Sequence, residues 1–375
     1  MNSNCKGKVL ILEPSGLMFG SERALLDLLP PLMADWDITV CCPPGLFAEA
    51  AAKKGVTVRP TFTPYLHQKG KLARLRAALV LRRAIKDVKP GLMHVNQAGA
   101  AKLAAFAAGR DLPIVIHTRL FEDYEYLRKR GLEKRACAII CVSDAMKKEA
   151  ARVLGEQHLH RLYSPYDPFV LSTRKKTEAP SRTKFICVGR LCRLKGQHLI
   201  LGALSELKRQ GVRATVMFVG SSQRKSRYDE DLKQLSRDLA IEDQVEWLGF
   251  KEDITDDLLG AHALLAPSEK EALGRVVFEA WDAGTIPIVW QGSGGPAEVV
   301  SLSGGGIVFQ DMTPISLAEA IKKAMAMPQT ERDTLVAKGC AWLADHHDPA
   351  QIASELSKIW QRCMQKGPTV RSEIE

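Results

Sequence analysis

Short apolar runs alternate with longer segments whose apolar positions recur every three to four residues, and this alternation persists along almost the whole chain. In the first half, the runs at 8–12, 38–42, 92–95, 113–117 and 136–142 have the length and composition of buried strands. Helical periodicity fills 21–33, 46–54, 71–88, 98–109 and 144–154 between them. The pattern breaks at Tyr163-Ser164-Pro165-Tyr166-Asp167-Pro168 and in the polar stretch 172–183, which together predict a linker. It resumes with strands at 185–189, 214–219, 245–248, 263–266, 287–290 and 306–309 and a helix over 197–210. Helical segments near 314–326, 330–345 and 349–364 close the chain. Strands separated by helices pair in parallel and are covered on both faces. The expectation is an α/β protein of two Rossmann-like domains, 1–168 and 169–350, facing each other across a cleft, with 351–375 a helix packing back toward the first.

Ligands of open parallel sheets sit at the carboxyl ends of the strands, so candidate chemistry is sought there. The apolar run Ala263-Leu264-Leu265-Ala266 ends in Pro267-Ser268, crosses a loop carrying Glu271 and Gly274, and enters a helical segment containing Glu279. Unpaired N–H groups at that helix start, with the positive end of its dipole, favour a phosphate. The two carboxylates flank that position, one before the helix and one about a turn and a half inside it. In the same half, Gly189-Arg190-Leu191-Cys192-Arg193-Leu194-Lys195-Gly196 places cations after a strand, either as solvated charge or as a clamp on a diphosphate.

The chain of 375 residues is long enough for two cores, and its 46% hydrophobic, 26% charged composition is that of a soluble globular protein. It has no apolar run of membrane-spanning length, and the start lacks the apolar core of a secretory signal, which predicts a cytoplasmic protein. The nine cysteines show no paired spacing and are expected as reduced core thiols. Charge is uneven. Residues 1–170 hold 26 Lys and Arg against 16 Asp and Glu, whereas residues 171–375 hold 27 of each. Cations at Lys69, Lys71, Arg74, Arg76, Arg82, Arg83, Lys86 and Lys89 interleave with Leu72, Leu75, Leu79 and Ile85, giving a basic amphipathic helix. Such a helix is either a solvated face or a surface for an anionic acceptor or an anionic membrane. Nucleic acid is not expected, because no aromatic platform accompanies the charge. No Asp-x-Asp ends a predicted strand, so no metal site is expected, and neither half has G-x-G-x-x-G after its first strand, which argues against a dehydrogenase.

The second half resembles the retaining GT-B glycosyltransferases of family 4. The resemblance is carried, in family order, by Gly189-Arg190 with Lys195-Gly196, Trp247-Leu248-Gly249-Phe250, the 267–279 stretch, Ala283-Gly284-Thr285-Ile286-Pro287, Gly294-Gly295-Pro296-Ala297-Glu298-Val299-Val300 and Gly304-Gly305-Gly306. In the first half, Phe19-Gly20-Ser21-Glu22 is similar to the family's Gly-Gly-x-Glu loop, and His94 and His117 fall where the family has histidines. The resemblance implies a metal-independent transferase, with no cofactor, that moves a hexose-type sugar from a nucleotide-diphosphate sugar to a glycan or glycolipid acceptor. The basic first half adds the expectation of an acceptor that is anionic or embedded in a membrane, as in synthesis of lipopolysaccharide or another surface glycan, and of contact with the inner face of an anionic membrane.

Carried over by position, the resemblance assigns the donor diphosphate to Arg190 and Lys195 and the transferred sugar to Glu271. The ribose falls to Glu279, and the phosphates meet the backbone at Leu273, Gly274 and Arg275. His117 would lie at the sugar near the reaction centre, and Gly20 would let its loop approach donor or acceptor. His94 reads as a core histidine at a strand end, while Glu298 either caps a helix or faces the donor. Two departures stand out: Leu273 replaces the family's usual aromatic, and Ser164-Pro165-Tyr166-Asp167 replaces its Asn-Gly-Val-Asp. The competing activities are a nucleotide-sugar epimerase or phosphorylase on the same plan, or a non-catalytic protein that binds membranes or anionic polymers.

Overall fold

The computed structural model describes residues 5–61, 70–168, 184–222 and 226–366. The expected linker stretch 172–183 and Lys69 lie outside the described residues. The chain divides into two compact units, one made of residues up to Asp167 together with those from His346 onward, the other of Pro168–Asp345.

The first unit runs β1 (Lys8–Leu12), α1 (Gly20–Met33), β2 (Asp37–Cys42), α2 (Leu46–Lys53), β3 (Thr57–Pro60), α3 (Lys71–Val88) and β4 (Leu92–Val95). It continues through α4 (Ala101–Ala108), β5 (Ile114–Thr118), α5 (Glu122–Arg128), β6 (Ala138–Cys141), α6 (Asp144–Leu154) and β7 (Leu159–Arg161). Its sheet is seven-stranded in the order β3-β2-β1-β4-β5-β6-β7, and every pair is parallel. The central strands β4, β5 and β6 are buried along their whole length, which is why they are continuous apolar runs in the sequence. The pattern does not reveal β3, β7 or α5. Thr57-Val58-Arg59-Pro60 lies on a sheet edge with half-exposed residues, and β7 is a three-residue edge strand, so neither carries an apolar signature.

The second unit repeats the arrangement with β8 (Lys184–Val188), α7 (Gln197–Arg209), β9 (Thr215–Val219), α8 (Tyr228–Asp238), β10 (Val245–Gly249), α9 (Thr255–Leu259) and β11 (Ala263–Ala266). There follow α10 (Arg275–Asp282), β12 (Ile286–Trp290), α11 (Gly295–Ser303), β13 (Ile307–Phe309), α12 (Pro314–Ala326) and α13 (Gln329–His346). Six parallel strands lie in the order β10-β9-β8-β11-β12-β13. Phe185, Val216, Phe218, Leu265, Ile286 and Ile288 on the sheet meet Leu204, Leu207, Leu317 and Ile321 on α7 and α12 to form one core.

The last helix, α14 (Pro349–Lys366), belongs to the first unit. Its Trp360 is fully buried, meets Trp36 edge-on at 5.5 Å between ring centroids, and donates its indole N–H to His94 Nδ1 at 3.1 Å. Ser357 accepts the Trp36 indole N–H at 2.9 Å. Each indole therefore fills the core while its one donor finds a partner.

Candidate functional site

In both units the strand order reverses direction beside the first strand, between β1 and β4 and between β8 and β11. At such a switch point the adjacent loops leave in opposite directions and open a crevice at the strand carboxyl ends. Chemistry-bearing side chains gather at both.

In the second unit, Gly189 follows β8 and the turn Arg193–Lys195 leads through Gly196 into α7. A β-carbon on Gly220 would lie 1.9 Å from the Gly189 carbonyl oxygen, and one on Gly196 would lie 2.2 Å from the Pro267 oxygen. These glycines let three loops close on one another, and Glu269 N donates to Leu194 O at 2.8 Å to join two of them. The aliphatic part of Lys195 lies against Gly189, 3.5 Å from where a β-carbon would stand. Its ammonium then reaches both carboxylate oxygens of Glu271 at 2.6 Å, and Ser268 Oγ donates to Oε2 at 2.9 Å. Burial alone would raise the Glu271 carboxyl, but Lys195 chiefly, then Ser268 and the charge of Arg190, hold it below the usual carboxylate range. The pair is about one-fifth exposed.

The Glu271 loop is strapped to the Gly294 loop. Glu271 N donates to Ser293 O at 2.8 Å, and Gly295 N donates back to Glu271 O at 2.9 Å. A β-carbon on Gly295 would stand 2.4 Å from Ala272 O and from Leu273 Cα, so the Gly-Gly-Pro motif exists to admit this contact. Gly274, left-handed at φ +77°, caps α10, and Glu279 lies half-buried in the second turn. Leu273 is buried, Arg275 half-buried and Arg190 exposed. The second unit thus brings Lys195 and Glu271 into direct contact and sets Gly274 and the α10 start beside them in sequence, with Ser268 an added partner that the sequence did not single out.

In the first unit, Glu13 leaves β1, Asn96 and Gln97 leave β4, and Arg119 leaves β5. Glu13 is fully buried and accepts from Ser15 N at 2.7 Å, Asn96 Nδ2 at 2.6 Å and Gln97 Nε2 at 2.9 Å. Gln97 Nε2 also reaches Glu22 Oε1 at 2.9 Å, and Glu22 Oε2 accepts Phe19 N at 3.1 Å at the start of α1. Burial, then the neighbouring Glu22, push the Glu13 carboxyl up to about 8 despite the donors from Asn96 and Ser15. Gly20 is exposed at the first position of α1, in the same turn as Glu22.

Arg119 extends this lattice. It donates from Nε to Asn96 O at 3.1 Å, from Nη2 to Asn96 Oδ1 at 2.5 Å and from Nη1 to Ser164 Oγ at 3.2 Å. Nη2 also lies 3.3 Å from His117 Nδ1. Burial first, then the charge of Arg119 and the ring of His94, drive the His117 pKa well below its ordinary value, and burial takes His94 down to about 3. His117 Nε2 is buried and has no hydrogen-bond partner among the described residues. A buried polar atom left unpaired costs about 1–3 kcal/mol. Glu13, Asn96, Gln97 and Arg119 were missed from the sequence. The available signal was a polar residue immediately after each of three strands at the carboxyl edge. Among the described residues, no group of three or more His, Cys, Asp or Glu side chains is arranged to hold a metal ion.

Two doubly wound parallel sheets in series give the chain the GT-B fold. Residues 20–168 match the family described as Glycosyltransferase Family 4 and residues 171–341 the family described as Glycosyl transferases group 1. The chain is 30% identical over 179 residues to the GDP-mannose-dependent alpha-(1-6)-phosphatidylinositol monomannoside mannosyltransferase of Mycobacterium tuberculosis, covering 45% of this chain and 44% of that one. It is 26% identical over 186 residues to the lipopolysaccharide core biosynthesis glycosyltransferase LpsE of Rhizobium meliloti, covering 49% and 50%. The chain spans about half the length of the curated relatives it matches. Among solved structures, Anabaena Alr3699/HepE in complex with UDP and glucose superposes with a TM-score of 0.76 at 22% identity, over 94% of this chain and 98% of that one. The apo form of the lipopolysaccharide outer core galactosyltransferase WaaB superposes with a TM-score of 0.68 at 16% identity, over 96% and 99%. At those identities the superpositions speak for the fold.

Proposed function

We propose that the protein is a retaining, metal-independent glycosyltransferase that moves a hexose-type sugar from a nucleoside-diphosphate sugar to an acceptor hydroxyl, in lipopolysaccharide or other surface-glycan synthesis. The observation that carries this reading is the Lys195–Glu271 pair beside the Gly274 helix start. A cation and the positive end of a helix suit a diphosphate, while a carboxylate held ionised accepts hydrogen bonds from sugar hydroxyls. Arg190 adds positive charge on the same side, and Glu279 holds the ribose. In the front-face reaction the bond from the anomeric carbon to the diphosphate oxygen breaks, and the acceptor oxygen bonds to the same face. The acceptor's proton passes to the departing oxygen. No side chain need form a covalent intermediate, so the residues act by positioning and by stabilising charge on the leaving group.

Relatives and neighbours support this reading: the mycobacterial relative is named as GDP-mannose-dependent, and HepE is described with UDP and glucose bound. The acceptor is read from the basic first unit. On α3, Leu72, Leu75 and Leu79 are exposed in a row of helical spacing, flanked by exposed Arg74, Arg76 and Arg83. This face suits an anionic membrane that carries a glycolipid acceptor. Vesicle binding is expected to weaken steeply as salt rises from 0.05 to about 0.5 M, since screening shortens the reach of surface charge to a few ångströms; binding indifferent to salt would remove the electrostatic argument. No described helix is long and apolar enough to cross a membrane.

The decisive experiment is a thermal-shift screen of nucleoside diphosphates and their sugars, followed by product analysis with and without acceptor. A bound donor stabilises the fold by mass action, about 2.7 kcal/mol at a hundredfold excess over Kd. Conversion of donor without acceptor would instead mark an epimerase, and no shift with any nucleotide would sink the transferase reading.

A further inference from the structure

We infer that Arg119 is a positioning residue that fixes the His117 ring as its Nε2–H tautomer, so that the ring meets substrate as a hydrogen-bond donor and not as a base. The inference rests on the transferase reading for its consequence, though not for its geometry. A guanidinium has five N–H donors and no acceptor. The 3.3 Å contact from Arg119 Nη2 therefore places the shared hydrogen on Arg119, and His117 Nδ1 offers its lone pair. A neutral imidazole with a bare Nδ1 carries its hydrogen on Nε2. That nitrogen is the buried one without a partner among the described residues. It is a donor awaiting an oxygen lone pair, supplied by a hydroxyl or phosphate oxygen of a bound substrate.

The guanidinium is held in this direction from two sides. Asn96 accepts from it at both its backbone oxygen and its side-chain oxygen, and Ser164 Oγ accepts from Nη1. Asn96 in turn cannot flip its amide without loss, because its Nδ2 donates to Glu13 Oε2 at 2.6 Å. The backbone amides of Arg119 and Leu120 both donate to Asp123 Oδ2, which pins the turn after β5. On the other flank of His117, the His94 ring stands edge to face at 5.6 Å and receives the Trp360 N–H on its own Nδ1. Glu13, Asn96 and Arg119 thus form a relay whose last member sets which nitrogen of His117 carries the hydrogen.

The test is direct observation of the tautomer in the full chain labelled with ring-15N histidine, by two-bond proton–nitrogen correlations at pH 7, with His117 assigned by its loss in His117→Gln. The native ring is expected neutral with hydrogen on Nε2, and Arg119→Met is expected to move a measurable share to Nδ1. A native ring with hydrogen on Nδ1, or an Arg119→Met ring identical to native, overturns the inference. In a transfer assay, His117→Gln, whose amide N–H falls near the position of Nε2–H, is expected to retain far more kcat than His117→Met, which should lose about 100-fold. Arg119→Lys should recover part of what Arg119→Met loses. Equal loss in His117→Gln and His117→Met would mean that the ring acts as a base, and would sink the donor role. Should Arg119→Met fail to fold, the native tautomer and the His117 pair still decide. A native protein that transfers no sugar would overturn the functional reading alone, because the tautomer is measured without substrate.

Discussion

The two units share a strand order and a switch point, yet they hold their polar groups in opposite ways. In the second unit a cation meets a carboxylate in direct contact, one-fifth exposed, on loops closed by glycines. In the first unit two carboxyls, two amides, a guanidinium and two imidazoles form a largely buried lattice in which both histidines are kept neutral and Glu13 is pushed toward its protonated form. On the proposed reading, the contrast follows from what each unit would meet. A site for a dianionic diphosphate needs mobile positive charge that can change partners, from Glu271 to the ligand. A lattice that presents neutral hydrogen-bonding groups needs rigidity, and burial enforces it by making every unpaired state costly.

The largest expected effect breaks the charged side of this comparison. Lys195→Ala removes the partner of Glu271 and, on the proposed reading, the cation that holds the diphosphate, and loss of one such donor typically costs about 10²–10³ in kcat, or roughly 2.7–4 kcal/mol. If Lys195 also steadies Glu271 before donor arrives, Lys195→Ala and Glu271→Gln should be non-additive, with a coupling of about 0.5–3 kcal/mol in a double-mutant cycle on kcat/KM. Additive losses would show that the contact has no functional weight. Native turnover in Lys195→Ala would remove it from the site.

Next in size is a change that carries no charge. Gly196 sits at φ +73° with the Pro267 oxygen 2.2 Å from where a β-carbon would stand. Gly196→Ala therefore adds left-handed strain of about 1–3 kcal/mol and a clash with backbone that must move. Chemical denaturation should show a loss of at least this size. Activity should fall further than stability alone explains, since the displaced strand-to-helix loop carries Ser268 and Glu271. Gly211→Ala is the control: it also has positive φ, but nothing lies within 4 Å of the added carbon.

This difference in construction explains how far the sequence could be read. All six strands of the second unit appear as apolar runs, and its loops are punctuated by glycines that close approach requires, so Arg190, Lys195, Gly274 and Glu279 could be named before any coordinates. The edge strands β3 and β7 and the short helix α5 escaped, because β3 carries an arginine and ends in proline, β7 has only three residues, and the seven-residue α5 is mostly charged. The lattice of the first unit escaped for another reason. Glu13, Asn96 and Arg119 lie 23 to 83 residues apart in successive pairs, and nothing local in the sequence says that an ordinary glutamate will be fully buried. Only the rule that polar residues at strand carboxyl ends face the switch point would have placed them together.

The smallest expected effect tests the buried side, through the dependence of stability on pH. A histidine whose folded pKa is depressed binds fewer protons when folded, so His94 and His117 contribute stability that is present above about pH 6.5 and is lost as pH falls below it. Glu13 has the opposite sign. Its carboxyl is raised from 4.5 to about 8 when folded, so its contribution is fully present below pH 4.5 and is lost as pH rises toward 8. Below about pH 6 two histidines oppose two carboxyls, because burial also raises Asp123 to about 6, and stability changes little with pH; between about 6 and 6.5 the histidines outweigh Glu13 and stability should rise; above 6.5 Glu13 acts alone, and stability should fall. The four groups therefore place a stability maximum near pH 6.5, with an alkaline arm of about 1–2 kcal/mol up to pH 8, since one proton is worth at most about 1.4 kcal/mol per pH unit. Glu13→Gln keeps one oxygen, which can serve Ser15 N and Gln97 Nε2 or else Asn96 Nδ2 but not both sides, and has no proton to lose, so it should lower stability at every pH, flatten the alkaline arm and leave the acid arm intact. Urea denaturation at half-unit steps from pH 5.5 to 8.5 measures both arms. An alkaline arm that survives in Glu13→Gln would mean that Glu13 is already ionised in the folded chain, held by its three N–H donors, and that the lattice of the first unit is charged after all.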